Sequence, residues 1–390
     1  MLKKKIAILG STGSIGKNLL NIIAKDKKNF EVILLTANKN YRELLKQSKI
    51  FKVKNLIIKN KISFKLIKKL NKDKSINIFN NYNCFNKVFK KKVDYIMSSI
   101  IGLDGLEPTF NSIKYTKKIA IANKESLICA WEIIKKELKK NKTEFVPVDS
   151  EHFSLWYGLK NLTKKNIDKI YITASGGPFL NIPKQKLENV KIKEALNHPN
   201  WKMGEKISID SATMINKIYE VIEAKNIFDI PYNKIKIIIH PKSYIHAIIK
   251  TKNGMIKIIA HDTTMKVPIF NTLFFNSSKS IKSRPLDIKV LNNLNLNEVD
   301  QSRYPMIKIL SFLSDQHSLY DTVIVTTNDV LVDLFLNKVI KFTQIQKKLF
   351  SILKKREFLK YKKVFPKNIK QILELNKYVR LKVLEKVYKS

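Results

Sequence analysis

The stretch VPVDSEHF, residues 146–153, sets Asp149, Glu151 and His152 within four positions, directly after an apolar run. Acids are scarce in this chain, 32 Asp+Glu against 75 Lys+Arg. Read as a strand end, the two-residue spacing points both carboxylates to one face. Like charges placed side by side repel unless a cation lies between them. The pair therefore reads as part of a metal site that lacks a third ligand.

The segment KISIDSATMINKIYEVIEA (206–224) offers that ligand. Its periodicity predicts a helix over about 212–226, with Ile215, Ile218, Tyr219 and Ile222 as the buried stripe. Asn216, Lys217 and Glu220 then share the opposite side, within ~100° of one another. Ser211 and Thr213 are expected at the helix start, where backbone N–H groups are free. Hydroxyl, amide, ammonium and helix N-terminus together make a phosphate seat. If Glu220 meets Asp149 and Glu151, three carboxylates form an oxygen site suited to Mg²⁺ or Mn²⁺ and not to zinc. Glu223 reads as a salt-bridge partner outside that site.

A second chemistry lies at the N-terminus. The apolar strand KKIAILG (4–10) runs into GSTGSIG and then a helix with Ile15, Leu19, Ile22 and Ile23 on one face. Gly10, Gly13 and Gly16 let the backbone approach a pyrophosphate, whose charge a helix N-terminus favours. A cofactor with a free ribose 2′-hydroxyl usually meets an acid at the end of the second strand. EVILLTA (31–37) ends instead in Asn38, Lys39 and Asn40, a cation between two amides. That suits a 2′-phosphate, and NADP(H) is the expected cofactor.

Strand-like and helix-like runs alternate up to about residue 150, which predicts a Rossmann-like, doubly wound parallel sheet. After His152 the texture changes. KNG (252–254) between two apolar strands signals a hairpin, and 276–302, rich in Ser, Asn and Lys, reads as a linker. From 304 onward helical periodicity dominates, as at Ile372, Leu375, Val379, Val383 and Val387, and predicts a terminal helical bundle.

At 390 residues the chain has room for two or three domains. It holds no run of 18 apolar residues, and the apolar segment after MLKKK is too short for a signal peptide. Cys84 and Cys129 lack metal-like spacing and fit small core residues in a reducing cytoplasm. The formal charge of +43 suggests a polyanion partner, yet only five of the basic residues are Arg (42, 284, 303, 356 and 380). Lys, Ile and Asn are abundant throughout, as codon drift in an AT-rich genome would produce. No specific nucleic acid and no membrane are expected as partners, although weak binding to polyanions at low salt is.

These motifs, taken in order, closely resemble the 1-deoxy-D-xylulose 5-phosphate reductoisomerase family. The anchors are GSTGSIG, ANKESL (122–127), PVDSEH, SGGPF (175–179), HPNWKMG (198–204), KISIDSATM with its NK, and HPKSYIHA (240–247). The resemblance implies an α/β chain with an NADPH-binding domain over 1–150 and a central α+β catalytic domain over 151–275. A linker over 276–302 and a C-terminal helical domain over 303–390 follow, assembled as a cytoplasmic homodimer. It implies Asp149, Glu151 and Glu220 as metal ligands and Ser175, Ser211, Asn216 and Lys217 as phosphate contacts. Lys124, Ser150, His198 and His246 are implied to meet substrate, with Lys124 assisting catalysis. Nucleotide contacts are implied at Thr12, Gly13, Ser14, Ile15, Asn38, Lys39, Asn40, Asn123, Glu125 and Gly204. Trp201 and Met203 would belong to a flap that closes over substrate. The implied reaction rearranges 1-deoxy-D-xylulose 5-phosphate and reduces the product with NADPH to 2-C-methyl-D-erythritol 4-phosphate, a step of isoprenoid biosynthesis.

The chain departs from the pattern at Ala174, where glycine is common, at AHDTTMKVPI (260–269), and at VTTND (325–329), where a run ending Asn-Glu is usual. Two other readings compete. An ordinary NADP-dependent dehydrogenase would share the glycine loop but need neither metal nor phosphate seat. A nucleic-acid-binding protein on a relic fold would bind DNA tightly and resist salt.

Overall fold

A computed structural model describes residues 2–275 and 277–389. The chain divides into two compact units. The first comprises 1–126, 134–149 and 265–281; the second comprises 127–133, 150–264 and 282–390. Asn276, the first residue of the expected linker, lies outside the described residues.

The first unit is built on seven parallel strands: β1 (Lys4–Leu9), β2 (Phe30–Ala37), β3 (Asn55–Ile58), β4 (Asn77–Phe79), β5 (Val93–Ser98), β6 (Thr116–Ile121) and β7 (Glu144–Pro147). Their order is β4-β3-β2-β1-β5-β6-β7, so the winding reverses between β1 and β5. In open α/β sheets ligands bind outside the strand ends at such a reversal. The crossovers carry α1 (Ser14–Ala24), α2 (Tyr41–Phe51), α3 (Lys61–Leu70), α4 (Phe85–Val88), α5 (Leu106–Ser112) and α6 (Lys124–Lys140). The core joins Ile6, Ile8 and Leu35 to Leu19 and Ile23 of α1. Ile269, Phe270 and Phe274 of a later helix, Lys266–Phe274, also pack there, and the Tyr95 hydroxyl and Thr272 Oγ1 lie 2.7 Å apart.

The second unit includes α7 (Ser150–Gly158) and a mixed five-stranded sheet. Its strands are β8 (Ile167–Ala174), β9 (Ile235–Ile239), β10 (Ile245–Thr251), β11 (Ile256–Ala260) and β12 (Asn297–Glu298), in the order β11-β10-β8-β9-β12. The predicted hairpin is present, β10 and β11 being antiparallel around Gly254 at φ 88. The segment read as a linker contributes β12 to the sheet. Helices α8 (Ile192–Leu196), α9 (Glu205–Ala212) and α10 (Ile215–Phe228) precede β9, and α11 (Lys266–Phe274) is the helix already placed against α1. The C-terminal part carries α12 (Ile288–Asn292), α13 (Tyr320–Leu336), α14 (Phe342–Leu353), α15 (Arg356–Leu359) and α16 (Ile369–Tyr388). The predicted stripe of α16 is buried at Ile372, Leu375, Val379 and Val383 and packs on α13.

Two local expectations are corrected. The helix predicted over 212–226 is α10, but it starts only at Ile215, after Met214 in the left-handed region at φ 69, and the residues before it close the separate helix α9. Ser211 therefore lies in the last turn of α9 and Thr213 caps its C-terminus, so neither stands at a helix start. Asp149 and Glu151 do not share a strand face either, because β7 ends at Pro147 and Glu151 is the second residue of α7.

Candidate active site

The turn after β1 is shaped by two glycines. Gly10 adopts φ 88, and a Cβ there would sit 2.8 Å from the Ser99 carbonyl oxygen. A Cβ at Gly16 would lie 2.5 Å from Ser11 Cα, so α1 packs directly on the turn. Gly13 meets no such obstacle and, with Ser14, is exposed at the α1 N-terminus, where no side chain caps the helix. Thr12 and Ile15 are half-buried beside them. Free N–H groups and an open backbone are what a pyrophosphate needs.

Asn38, Lys39 and Asn40 are all exposed beyond β2. Asn40 caps α2 by accepting from the Glu43 N–H (3.2 Å), which fixes the turn that presents Lys39. Asn123 caps α6, accepting from Ser126 N–H (2.8 Å), while its amide donates to the carbonyls of Ile100 and Gly102 and lies 3.4 Å from Glu125 Oε2. Its side chain thus ties the α6 start to the loop after β5. Gly204 stands in the second unit as the N-cap of α9.

The units divide at the peptide bond between Asp149 and Ser150, so Asp149 is carried on the chain that enters α7. Asp149, Glu151 and Glu220 each offer an oxygen within 4.8 Å of the others. The Lys124 ammonium lies 2.6 Å from Asp149 Oδ2. Lys217 donates to Glu151 Oε1 (2.8 Å) and Glu220 Oε2 (2.6 Å), Asn216 Nδ2 donates to Glu220 Oε1 (2.6 Å), and Ser150 donates to Glu151 Oε2 (2.5 Å). Burial works against the Lys217 ammonium, but the two carboxylates outweigh it and raise its pKa. Charge balance makes this arrangement possible. Three converging hard oxygen donors fit a Mg²⁺ or Mn²⁺ ion.

Lys217 and Glu220 are buried, and α10 buries residues around most of its circumference. The expected exposed polar side of this helix is therefore interior. Glu223 is no solvated acid: it is 1% exposed and sits 3.3 Å from His152 Nδ1.

The loop after β8 completes the seat. Gly177, at φ 66, comes so close to α9 that a Cβ would lie 3.0 Å from the Ser211 carbonyl oxygen. That approach sets the Ser175 loop against the turn that carries Ser211. His198 Nδ1 accepts from the backbone N–H groups of Asn200 (3.2 Å) and Trp201 (3.0 Å). Its proton is then on Nε2, which donates to Ser175 Oγ (2.9 Å). Burial first, then the Lys217 ammonium, push the His198 pKa down to about 4. Ser175 Oγ also accepts from Gly177 N–H (3.0 Å), so its own O–H remains to donate.

Burial, and secondarily the His261 ring, push His246 down to about 3. The two imidazoles stack at 3.8 Å, and Trp201, half-buried, lies 6.1 Å from His246. His261 was missed from the sequence; its one signal was the unusual AHD at 260–262. The VTTND segment has a clear structural part. Asn328 donates to Asp210 Oδ1 (2.7 Å), and Lys206 bridges Asp210 (2.6 Å) and Asp329 (3.1 Å), fastening α9 to α13.

A parallel sheet with a glycine turn at its point of reversal, and a carboxylate cluster balanced by lysines beside a serine-lined seat, define a metal-assisted, nucleotide-dependent oxidoreductase. Three family models match: 1-deoxy-D-xylulose 5-phosphate reductoisomerase over 6–131, its C-terminal domain over 145–228, and the DXP reductoisomerase C-terminal domain over 262–382. The chain belongs to the 1-deoxy-D-xylulose 5-phosphate reductoisomerase family. It is 56% identical to the Pelagibacter ubique enzyme of that name over 97% of this chain and 98% of the relative. To the Buchnera aphidicola enzyme it is 38% identical over 98% of each. Among solved structures, a DOX-P reductoisomerase in complex with NADPH, fosmidomycin and magnesium matches with a TM-score of 0.90 at 29% identity, covering 99% of this chain and 98% of that one. The Zymomonas mobilis enzyme in complex with NADPH matches at 0.86 and 29%, with 99% of each chain covered.

Proposed function

We propose that this protein converts 1-deoxy-D-xylulose 5-phosphate to 2-C-methyl-D-erythritol 4-phosphate, using NADPH and a divalent metal. The convergence of Asp149, Glu151 and Glu220 beside Lys217 and Asn216 carries the reading. An ordinary dehydrogenase needs no such cluster. Asp149, Glu151 and Glu220 would hold Mg²⁺ or Mn²⁺, which when bound supplies Lewis acidity toward the substrate's ketone and hydroxyl oxygens.

Lys217, Asn216, Ser175 and Ser211 bind the phosphate, and Ser150, His198 and His246 orient the sugar carbons. Lys124, next to Asp149, holds a substrate hydroxyl where its proton is lost. One carbon–carbon bond breaks and another forms, leaving an aldehyde. NADPH supplies the hydride and solvent the proton that turn this aldehyde into an alcohol. Thr12, Gly13, Ser14 and Ile15 would hold the dinucleotide's phosphates, Asn38, Lys39 and Asn40 would meet its 2′-phosphate, and Asn123, Glu125 and Gly204 would make further contacts. Binding of the remote phosphate supplies energy to close the segment bearing Trp201 and Met203, which keeps water from the aldehyde.

The working form is a homodimer in the cytoplasm. Support for self-association comes from β11, an edge strand that leaves Ile256 and Ile258 exposed, with Met255 exposed just before it. Among the described residues no helix is long and apolar enough to cross a membrane. The test is NADPH oxidation with 1-deoxy-D-xylulose 5-phosphate, with and without chelator. Turnover should stop in chelator and return with Mn²⁺ or Mg²⁺. Oxidation that ignores the chelator, or that proceeds equally with simple non-phosphorylated aldehydes, would overturn the reading.

A further inference from the structure

His152 follows Glu151 directly on α7, and Glu223 stands three residues beyond Glu220 on α10. Neither reaches solvent, at 0% and 1% exposure. His152 Nε2 lies 2.8 Å from the main-chain carbonyl oxygen of Glu220. A carbonyl can only accept, so Nε2 carries the hydrogen and donates it. Nδ1, on the other side of the ring, faces Glu223 Oε2 at 3.3 Å. Phe228, at the end of the same helix, stacks parallel to the ring at 6.4 Å and 8°. One imidazole thus holds α10 by a main-chain hydrogen bond at the turn that carries Glu220, while its other nitrogen faces the Glu223 carboxylate of the same helix. Its own backbone meanwhile places Glu151.

A purely structural helix contact at this depth is made at lower cost by apolar side chains, since burying a titratable pair carries a desolvation penalty. What the pair adds is directional. It sets the register between two helices whose acids must meet one ion with oxygens at fixed distances. We propose that His152 and Glu223 form a positioning pair that fixes the separation of the Glu151 and Glu220 carboxylates for metal binding. The inference rests on the metal reading above and concerns these two residues, neither of which is a ligand in it.

The test compares His152→Gln, His152→Asn, Glu223→Leu and the double variant His152→Asn/Glu223→Leu. Mn²⁺ affinity is read from the electron paramagnetic resonance of the free ion, without substrate or NADPH. NADPH binding, measured by fluorescence, reports on the other unit. Glutamine reaches about as far as Nε2 and keeps the bond to Glu220 but not the contact with Glu223, so His152→Gln should lose no more Mn²⁺ affinity than Glu223→Leu does. His152→Asn and Glu223→Leu should each lose roughly 10–100-fold in Mn²⁺ affinity, as loss of a ligand-orienting partner does. The double variant should lose no more than the weaker single, with NADPH binding unchanged throughout. Wild-type Mn²⁺ affinity in both single variants overturns the pair, as do losses that multiply in the double variant. Loss of NADPH binding together with Mn²⁺ binding, or failure to fold, marks the pair as merely structural and also overturns it. Failure of the wild type to bind Mn²⁺ would instead defeat the metal reading.

Discussion

Replacing Lys217 by Met removes the ammonium that now joins Glu151 to Glu220. At an effective dielectric constant of ~20, two unit charges no more than 4.8 Å apart repel by roughly 3.5 kcal/mol or more. Methionine keeps the length and apolar stem of lysine, so packing changes little. In chelator the variant should therefore be about 3 kcal/mol less stable than wild type. For a folding unit of this size that is about 6–12 °C in Tm. The same repulsion favours a divalent ion, which no longer has an ammonium to displace. Mn²⁺ should bind up to about 10²-fold more tightly, and millimolar Mn²⁺ should raise Tm more in the variant than in wild type. A phosphonate carrying a hydroxamate should behave oppositely. With its ammonium partner gone it should bind about 10–100-fold more weakly at saturating Mn²⁺, since a charge-assisted hydrogen bond contributes ~1.5–3 kcal/mol. Calorimetry with each ligand and thermal scans with and without chelator read all three quantities. If metal and phosphonate affinities fall together, or the chelator Tm is unchanged, Lys217 does not stand between these acids as described.

Lys39→Asp should shift preference from NADPH toward NADH, by repelling a 2′-phosphate and offering an acceptor to a 2′-hydroxyl; an unchanged cofactor ratio would remove Lys39 from that role. Gly10→Ala, forced to φ 88 and against the Ser99 carbonyl, should destabilise by about 1–3 kcal/mol in urea unfolding. Gly13→Ala, which meets no close atom, should leave stability intact and weaken NADPH binding alone. Asp321 lies buried on α13, 3.9 Å from His317, and burial raises its pKa from 3.8 to about 7. Native protein then holds this proton more tightly than unfolded chain, so stability should fall as pH rises from about 4 to 7. Asp321→Asn should flatten that decline in urea unfolding at pH 5 and 8, and an unaltered slope would sink the assignment. Phosphonate binding should change Trp201 fluorescence; an identical change in Trp201→Phe, with Trp131 and Trp156 as its source, would show that Trp201 is no lid.

Much of this protein was determined by local pattern. Alternating apolar runs predicted the parallel sheet, because strand and helix periodicities are properties of neighbouring residues. Glycine spacing marked the turn after β1, since a positive φ at Gly10 and close helix packing at Gly16 demand the missing Cβ. KNG marked the hairpin for the same reason. The tertiary structure decided what depends on distant neighbours. Strand alternation seemed to align Asp149 with Glu151, whereas a helix beginning at Ser150 brings Glu151 round to Glu220. Periodicity put Lys217 and Glu220 opposite the apolar stripe but could not tell that the surroundings of α10 bury them too, where their mutual charge makes the burial tolerable. The break at Met214 and the role of Asn328 and Asp329 against α9 were equally out of reach, because a backbone kink and a contact across more than a hundred residues leave no trace in local spacing. Glu223 shows the physical reason most plainly. Its type suggested a salt-bridge partner but not which one, and His152, seventy-one positions earlier in the chain, is the buried group it faces.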